Sequence, residues 1–282
     1  MTDKERENRE KKIEEYEKGR KQRQELSNFV VKDNAIIQKA RYNLSATQQK
    51  FLAYLISKIK PEDNELETYE IRVEDFCTLV GIDKNWFYSE FIKLIDDFDN
   101  NHCFWVDTDK ELYKFRWFAD TRYIKGRGTV KVMLAHTLKE YLIGLTKNFT
   151  QYELYNIMAL KSKYAIRLFE LFKSYSWQNR KEFDIEELKE LLCATNYKNF
   201  NDFKKRVIEP SLKEINEFTE LNISYNTINQ GRKIIAVRFI IEHKETLESY
   251  ASYLKTIEKI NEDNNICKGQ FAFDLDGNIF EE

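Results

Sequence analysis

The sequence predicts an α+β fold made of two similar halves, and three observations predict it. Apolar residues at helical spacing alternate along the chain with short strand-like runs. In each half the last two strand-like runs are joined by a turn that contains glycine, Gly126 and Gly128 in one half and Gly231 in the other. Residues 73–81 also match residues 185–193 at an offset of 112. Both halves therefore have the order helix, turn, helix, hairpin, which is the order of a winged helix.

The first half begins with a helix whose start is marked by its own sequence. Ser45 followed by Gln48 is the signature of a capping box, and apolar residues at helical spacing come directly after it. A strand-like alternation then leads into a short helix that ends at Gly81, a residue type suited to the left-handed end of a helix. The elements predicted after it are a helix over 84–98 and strand-like runs over 103–106, 112–118, 121–125 and 129–134.

The second half repeats this plan. Asp184 and Glu187 form a cap-type pair that opens its short helix. Pro210 lies inside a longer helical pattern, where it removes one backbone donor and should kink the helix. The helical patterns cover 152–160, 164–177 and 200–218, and the strands cover 221–228 and 233–241.

These patterns divide the chain into a charged arm at 1–27, a first winged-helix domain at 28–146, a second at 147–243, and an acidic helical or flexible tail at 244–282. The arm carries nine basic and eight acidic side chains and few apolar ones, which is typical of a solvated, frayed helix held by ion pairs. The alternative is an arm that contacts DNA. The tail has a net charge of −5, and we interpret it as solvated or as a screen against non-specific DNA.

The composition excludes several classes of protein. A net charge of −2 with 42% hydrophobic residues is typical of a folded globular chain. Apolar runs are too short to span a membrane, and the charged start has no secretory signal. The four cysteines are scattered, so neither a disulfide framework nor a zinc site is expected, and the predicted location is the cytoplasm. We expect no cofactor.

The segment 198–209 of the second half is the strongest candidate for a DNA-reading helix. Phe200, Phe203 and Val207 share one helical face and should pack inward. Side chains of Asn and Arg can read base edges in the major groove, and those of Lys can neutralise phosphate. A charged, solvated helix face is the alternative. The polar side chains expected on or beside the outer face are Lys198, Asn201, Asp202, Lys204, Lys205 and Arg206.

Both hairpin turns are basic, which suits contact with phosphates or the minor groove, although basic turns also serve solubility. The turn residues are Lys125 and Arg127 in the first half and Arg232 and Lys233 in the second. The first-half helix is a weaker candidate for base reading. Its outward side chains include Lys84, Asn85 and Tyr88, but acids at its other end would repel phosphate; these are Asp96, Asp97 and Asp99.

Catalytic motifs are missing. The three histidines, at positions 102, 136 and 243, form no metal-binding pair, so a nickase with a His cluster beside a nucleophilic Tyr is not supported. No glycine-rich phosphate loop and no nucleophile elbow are present. We therefore expect no catalytic residues and no metal, and the protein is predicted not to be an enzyme.

Three stretches resemble the initiator replication proteins of iteron-containing plasmids. The first is VVKDNAIIQKARYNLSATQQKFLAYLISKI at 30–59, which resembles the start of that family's first domain. The second is LTKNFTQYELYNIMALKSKYAIRLFELFKSY at 145–175, which resembles the start of its second domain. DFKKRVIEPSLKEINEFTELNISY at 202–225 and GRKIIAVRF at 231–239 complete a match over roughly 28–243, which leaves the arm and the tail outside it.

The resemblance implies a tandem winged-helix protein that binds direct repeats of origin DNA as a monomer, helps to open adjacent DNA, and recruits the host initiator and helicase. It also implies a homodimer in equilibrium with the monomer, which binds an inverted repeat and represses its own gene. By analogy the second domain is the main base reader and the first supplies the dimer face through its strands. The residues placed beside the DNA backbone by the resemblance are Lys161, Ser162, Lys163 and Arg167. The acid-rich helix of the first domain departs from this pattern, so its share of base reading is smaller.

Three other functions fit parts of the sequence. A transcriptional repressor of the same fold would need the same DNA contacts. A rolling-circle nickase would need a nucleophilic Tyr, and 16 tyrosines do not single one out. A protein-interaction module would use the basic faces to bind acidic partners.

Overall fold

The computed structural model describes residues 3–82, 84–101, 103–107, 112–124, 126–264, 272–273 and 279–280. Up to residue 142 the elements are α1 (Asp3–Leu26), β1 (Phe29–Asp33), α2 (Asn34–Gln38), β2 (Ala40–Arg41), α3 (Ala46–Ile56), β3 (Thr68–Arg72), α4 (Val73–Val80), α5 (Lys84–Asn101), β4 (Cys103–Asp107), β5 (Leu112–Arg116), β6 (Phe118–Ile124), β7 (Thr129–Leu134), a 3-10 turn (His136–Leu138) and α6 (Lys139–Leu142).

The rest of the chain continues with β8 (Phe149–Glu153), α7 (Tyr155–Met158), α8 (Lys163–Tyr175), a 3-10 turn (Ser176–Gln178), β9 (Arg180–Asp184), α9 (Ile185–Leu191), α10 (Phe200–Phe203), a π-helical turn (Lys204–Ile208), α11 (Glu209–Phe218), β10 (Leu221–Gln230), β11 (Lys233–His243), α12 (Thr246–Asp263), β12 (Ala272–Phe273) and β13 (Ile279–Phe280). β12 and β13 pair with each other in antiparallel orientation. No helix among the described residues is long and apolar enough to cross a membrane.

The internal repeat is present in three dimensions. β3 and α4 of the first half correspond to β9 and α9 of the second at the predicted offset of 112 residues. The sheets also agree, because their strand orders are β3-β7-β6 and β9-β11-β10. Gly81 and Cys193, 112 residues apart, both have left-handed backbone conformations with φ of 71° and 49°. A non-glycine residue in that conformation costs roughly 1–2 kcal/mol. Cys193 therefore ends its helix with a backbone strain that Gly81 does not have.

Helices α3 and α8, which precede the equivalent strands β3 and β9, each start with a serine cap and contribute to an aromatic core. Ser45 and Gln48 form the predicted capping box at the start of α3, and Ser162 caps α8 by accepting from the backbone N–H groups of Tyr164 and Ala165. Phe51 of α3 lies at the centre of the first core, with the rings of Phe76, Phe91 and Phe118 stacked edge-on around it. Phe172 of α8 contacts Phe239 of β11 in the second core.

A reciprocal pair of buried basic side chains joins the two halves. Lys50 is the fifth residue of α3 and Arg167 is the fifth residue of α8. Lys50 Nζ donates to the backbone carbonyl of Met158, 2.6 Å away, and Arg167 Nη2 donates to that of Ala40, also 2.6 Å away. Each of these two helices therefore reaches across the predicted boundary at 146/147 into the other half. β1 and β8 also pair across that boundary.

The N-terminal arm is not wholly solvated, so that part of the prediction was wrong. Lys21 of α1 pairs with Asp75 of α4 at 2.8 Å, and Gln22 Nε2 donates to the carbonyl of Thr78 at 3.2 Å. Leu26 is fully buried. The arm docks through ion pairs, an amide hydrogen bond and one apolar residue at its end, so helical periodicity of apolar residues did not reveal the contact.

Part of the predicted acidic tail is likewise a packed helix. Thr256 and Ile260 of α12 are buried against the body of the protein. Asn264 Nδ2 donates to the carbonyl of Thr78 at 2.8 Å, the same carbonyl that accepts from Gln22 of α1. The region around Gly81 is tightly packed, because a Cβ atom built there would lie 2.7 Å from Cβ of Asp263. The end of α12 therefore lies against the first half, although the helix continues from the second.

Candidate nucleic-acid interface

The predicted reading helix of the second half is present as α10, the π-helical turn and α11. Asn199 caps it, with its side-chain oxygen accepting from the backbone N–H of Asp202 at 2.8 Å. Phe203 and Val207 are fully buried, as predicted, while Phe200 is partly buried at the edge of the core. This packing fixes the helix against the core and leaves its polar face toward solvent.

The helix widens into a π turn over Lys204–Ile208, where the backbone N–H of Glu209 donates to the carbonyl of Lys204, five residues earlier. Pro210 follows within the first two positions of α11. Proline has no N–H and its ring clashes with the carbonyl four residues earlier in an ordinary α-helix, so a wider turn accommodates it. The predicted disturbance at Pro210 therefore takes the form of a π turn. The turn carries Lys204, Lys205 and Arg206, and such turns are frequent at functional sites.

The exposed side chains of this face are basic and amide groups. Asn201, Lys205 and Arg206 are exposed, as is Lys198 just before the cap. Lys205, Arg206 and Lys198 make no ion pair with any residue that the structure describes. Their charges are therefore available to an anionic ligand.

Lys204 differs from its neighbours because it is tied to the wing. Its Nζ lies 3.4 Å from Oε1 of Glu209, and the hydroxyl of Tyr225 in β10 donates to the same carboxylate oxygen at 3.3 Å. Tyr225 and Glu209 raise the pKa of Lys204. The contact connects the reading helix to the hairpin beside it, which suits a positioning role.

The second hairpin forms the predicted basic wing tip. Gln230 pairs with Lys233 across a turn at Gly231, whose φ is 62°, and Arg232 and Lys233 are exposed. A β-bulge between Ile228 and Asn229 shifts the register just before the tip. Asn229 and Gln230 are exposed there beside the two cations. The sequence prediction did not include these two amides, although the run of polar residues that flanks the turn glycine is a signal for them.

The first half carries its predicted residues on equivalent elements. Lys84, Asn85 and Tyr88 lie in the first turns of α5, but their side chains are outside the described residues. Lys125 also falls outside the described residues, whereas Arg127 is exposed at the turn between β6 and β7. Of the acids of α5 that the sequence analysis named, Asp96 and Asp97 are both exposed, and the side chain of Asp99 lies outside the described residues.

The resemblance places residues at the start of α8 beside the DNA backbone, and the structure divides these residues into an exposed group and a buried one. Lys161 and Lys163 are at the surface, where Lys161 Nζ lies 3.9 Å from Oδ2 of Asp263 and Lys163 Nζ donates to Asn43 at 2.7 Å. Arg167 is only 2% exposed and therefore does not reach the surface. Its assignment as a DNA contact was wrong, because its guanidinium donates to the Tyr42 hydroxyl and to the backbone carbonyl of Ala40.

Arg167 belongs to a buried ionic cluster. Glu170 accepts from Lys32 Nζ and from the hydroxyl of Tyr152, both at 2.5 Å, and its other oxygen lies 3.9 Å from Arg167. Burial alone would raise the pKa of Glu170, but Lys32 and Arg167 outweigh it and lower the pKa below its ordinary value. Because Lys32 comes from β1 and Glu170 from α8, the cluster holds the two halves together.

No group of three or more His, Cys, Asp or Glu side chains within the described part of the chain is placed to hold a metal ion. The interface that the structure presents is therefore a set of exposed cations and amides on a rigid helix and a hairpin. Such a set can contact phosphates and base edges.

Comparison with known proteins identifies the family of this chain. The model of the first winged-helix domain of the initiator replication protein matches residues 29–173, and that of the second, of the initiator Rep protein, matches residues 184–241. The first match extends through most of α8, beyond the boundary predicted at 146, so that boundary stays a prediction. An uncharacterized 27.6 kDa protein of Escherichia coli is 23% identical over 230 residues, which are 73% of this chain and 93% of that protein.

A solved structure, the Pi initiator protein in complex with iteron DNA, has a similar fold. It superposes with a TM-score of 0.60 at 18% identity, over 78% of this chain and 99% of the other. The similarity supports the tandem winged-helix architecture. Since the two domain models together match most of the chain, it belongs to the family of initiator replication proteins, whose members have two winged-helix domains.

Proposed function

We propose that this protein initiates plasmid replication by binding repeated origin DNA through its two winged-helix domains, with the second domain as the main reader. The observation that carries the proposal is the exposed basic face of the π turn, fixed to a packed core and linked to a basic wing. The similar Pi initiator was solved with iteron DNA, which supports repeated DNA as the ligand here.

The exposed side chains divide into two roles. Asn201 and Arg206 have donors and acceptors suited to adenine and guanine edges, so they are the proposed base readers together with Lys205. Lys198, Arg232 and Lys233 neutralise phosphates on either side of the groove, and Lys204 holds the helix against the wing. Because each phosphate contact releases counterions, affinity falls steeply as salt rises.

The first domain has an auxiliary role in this proposal. Arg127 at its wing tip, together with Lys125, contacts the backbone of the adjacent part of the repeat, and Lys84, Asn85 and Tyr88 approach the groove. Lys161 and Lys163 add contacts near the start of α8. The acids Asp96 and Asp97 limit the approach of the rest of α5 to DNA.

The remaining parts of the proposal rest on the family. The protein acts without catalytic chemistry, recruits the host initiator and helicase in the cytoplasm, and exchanges between a monomer that binds direct repeats and a dimer that represses its own gene. The dimer face belongs to the strands of the first domain. Family membership supports each of these points.

The decisive experiment is in vitro selection from random duplexes of about 30 bp at near-physiological salt. We expect one extended motif with two blocks roughly 10 bp apart, because two linked domains on one face of DNA contact sites one helical turn apart. Recovery of no motif, with weak and strongly salt-dependent binding, would contradict sequence-specific binding.

A replication assay separates an initiator from a repressor of the same fold. The gene and its flanking DNA are placed on a circle without another replicon and introduced into a bacterial host. Stable maintenance is expected, with loss of maintenance for Arg206→Ala. Repression of the promoter without maintenance would contradict the initiator role, and site-specific nicking of supercoiled DNA would contradict the absence of catalysis.

A further inference from the structure

α12 has two faces of different character. Its inner face, with Ser252, Thr256 and Ile260, is buried. Its outer face carries three large apolar side chains, and their exposed fractions are 73% for Leu247, 42% for Tyr250 and 42% for Leu254. Single exposed apolar residues are common on proteins, but several aligned on one face mark an interaction site.

The spacing of these residues makes them a continuous stripe. Positions 247, 250 and 254 are related as i, i+3 and i+7, which places them on one side of a helix. Ala251 is exposed within the stripe and is small enough to let another helix approach closely. We call Leu247, Tyr250, Ala251 and Leu254 the outer stripe of α12.

The charges beside the outer stripe indicate what covers it. Glu248 and Lys255 are both exposed and lie seven residues apart, so they share one flank of the stripe. If a second, antiparallel copy of the helix is centred on Ala251, Leu247 faces Leu254 of the second copy. In the same register Glu248 faces Lys255 of the second copy, and the reverse pair forms on the other side of the two-fold axis. The face is therefore complementary to itself in shape and in charge, as a two-fold interface requires.

We propose that the outer stripe of α12 is a docking site for a second copy of this chain, with the two helices antiparallel. The site lies outside both family-matched segments, which end at residue 241, and outside the strands of the first domain. It is also far from the wing tip of the second half, because β11 runs for 11 residues, or roughly 30 Å, from that tip to His243 just before α12. Copies bound to DNA can therefore still pair.

One helix pair covers less surface than the roughly 1,200 Å² of a stable interface. The association is therefore concentration-dependent and weak in free solution. It becomes stronger when DNA holds two copies close together and raises their effective concentration.

The first test is sedimentation equilibrium of the full-length chain, with Leu247→Ser and Leu254→Ser as variants. Each is expected to weaken at least tenfold the association that adds to the first-domain dimer, while circular dichroism and binding to a duplex with a single repeat stay unchanged, because both side chains are exposed. Trp177→Ser is the matched control, since Trp177 is 77% exposed but lies in the 3-10 turn before β9. The proposal would be overturned if both Leu variants associate as strongly as the parent chain, or if only the Trp177→Ser control loses association. It would also be overturned if the parent chain stays monomeric at every concentration.

The second test uses charge reversal to establish the antiparallel pairing. Glu248→Lys alone and Lys255→Glu alone each place like charges opposite each other twice and should weaken association several-fold. An equimolar mixture of the two variants restores both opposite-charge contacts and should recover the original association. Weakening without recovery would overturn pairing with a second copy, and would favour a different partner or coverage of the stripe by residues 265–282 of the same chain.

Discussion

The two winged-helix domains share a topology but differ in the charge of the helix that would face DNA. The first domain's helix, α5, exposes Asp96 and Asp97, whereas the second domain's helix exposes Lys205 and Arg206 on a π turn. The two sheets have equivalent strand orders, and the helix ends at Gly81 and Cys193 lie 112 residues apart, so the backbone frame does not determine this difference. One scaffold therefore carries an exposed basic surface, the proposed DNA-reading face, in one copy and a surface less suited to phosphate in the other.

The largest expected effect comes from breaking the buried ionic cluster that joins the two halves of the chain. Glu170→Ala leaves Lys32 and Arg167 buried without their counter-charge, and removing one partner of a buried pair costs about 3–5 kcal/mol. Glu182→Ala is the control, because the Glu182–Arg238 pair is about half exposed and is expected to cost less than about 1 kcal/mol. Urea denaturation of both variants checks this. Equal losses for the two would contradict the joining role of the cluster.

The equivalent helix ends provide the next comparison. Gly81→Ala is expected to lower the free energy of unfolding by at least about 2 kcal/mol. An alanine in the left-handed conformation costs roughly 1–2 kcal/mol, and its Cβ would also clash with Cβ of Asp263. Cys193→Gly removes a similar backbone strain but raises the conformational entropy of the unfolded chain. The two effects oppose each other, so the free energy of unfolding should change by no more than about 1 kcal/mol. Thermal unfolding of both variants measures the difference. A Gly81→Ala protein as stable as the parent would show that α12 does not pack against this turn.

The difference in DNA reading can be tested on the two helices directly. Arg206→Ala is expected to cost about 1–3 kcal/mol of binding and to relax specificity at one base pair. Lys93→Ala on α5 is the matched control, because Lys93 pairs with Glu90 on a helix that also exposes Asp96. Binding to the selected duplex and to its single-base variants checks both changes. A uniform loss on every sequence would assign Arg206 to phosphate instead of a base, and a larger loss for Lys93→Ala would reverse the roles of the domains.

The smallest expected effect is a change in stability with pH that depends on the buried Lys50. Burial lowers the pKa of Lys50 to about 8, although Glu214 and Asp263 act in the opposite direction. The unfolded chain therefore binds more protons than the folded chain between pH 8 and the ordinary lysine pKa, so stability rises with pH over that window, by about 1–2 kcal/mol up to pH 9.5. Lys50→Met should abolish this rise in urea denaturation at pH 7.5 and 9.5. If stability still rises between pH 7.5 and 9.5 in Lys50→Met, another titrating group causes the rise.

The sequence predicted what local patterns encode. The capping box at Ser45, the left-handed end at Gly81 and the inward faces of Phe203 and Val207 depend on neighbours within a few residues, and they are found as predicted. The fold class followed because these signals recur in both halves.

The predictions that were wrong involve contacts between distant segments. Arg167 carries a charge, and charged side chains are almost never fully buried unless they are paired. Its partners at positions 40 and 42 lie more than a hundred residues away, so no local pattern shows them. α1 was missed for the same reason, since Lys21 and Gln22 bind residues more than fifty positions later. The π turn was only partly foreseen, because Pro210 signals a disturbed helix but not its form.

One backbone oxygen has a consequence for the order in which the molecule opens. The carbonyl of Thr78 accepts hydrogen bonds both from Gln22, near the start of the chain, and from Asn264, directly after α12. Segments from near both ends of the chain therefore bind the same turn of α4. Local opening spreads from weakly held segments, and here detachment of either end alone leaves α4 covered by the other. Amide exchange in α4 should accordingly be as slow as in the central cores, even though the helix is only eight residues long.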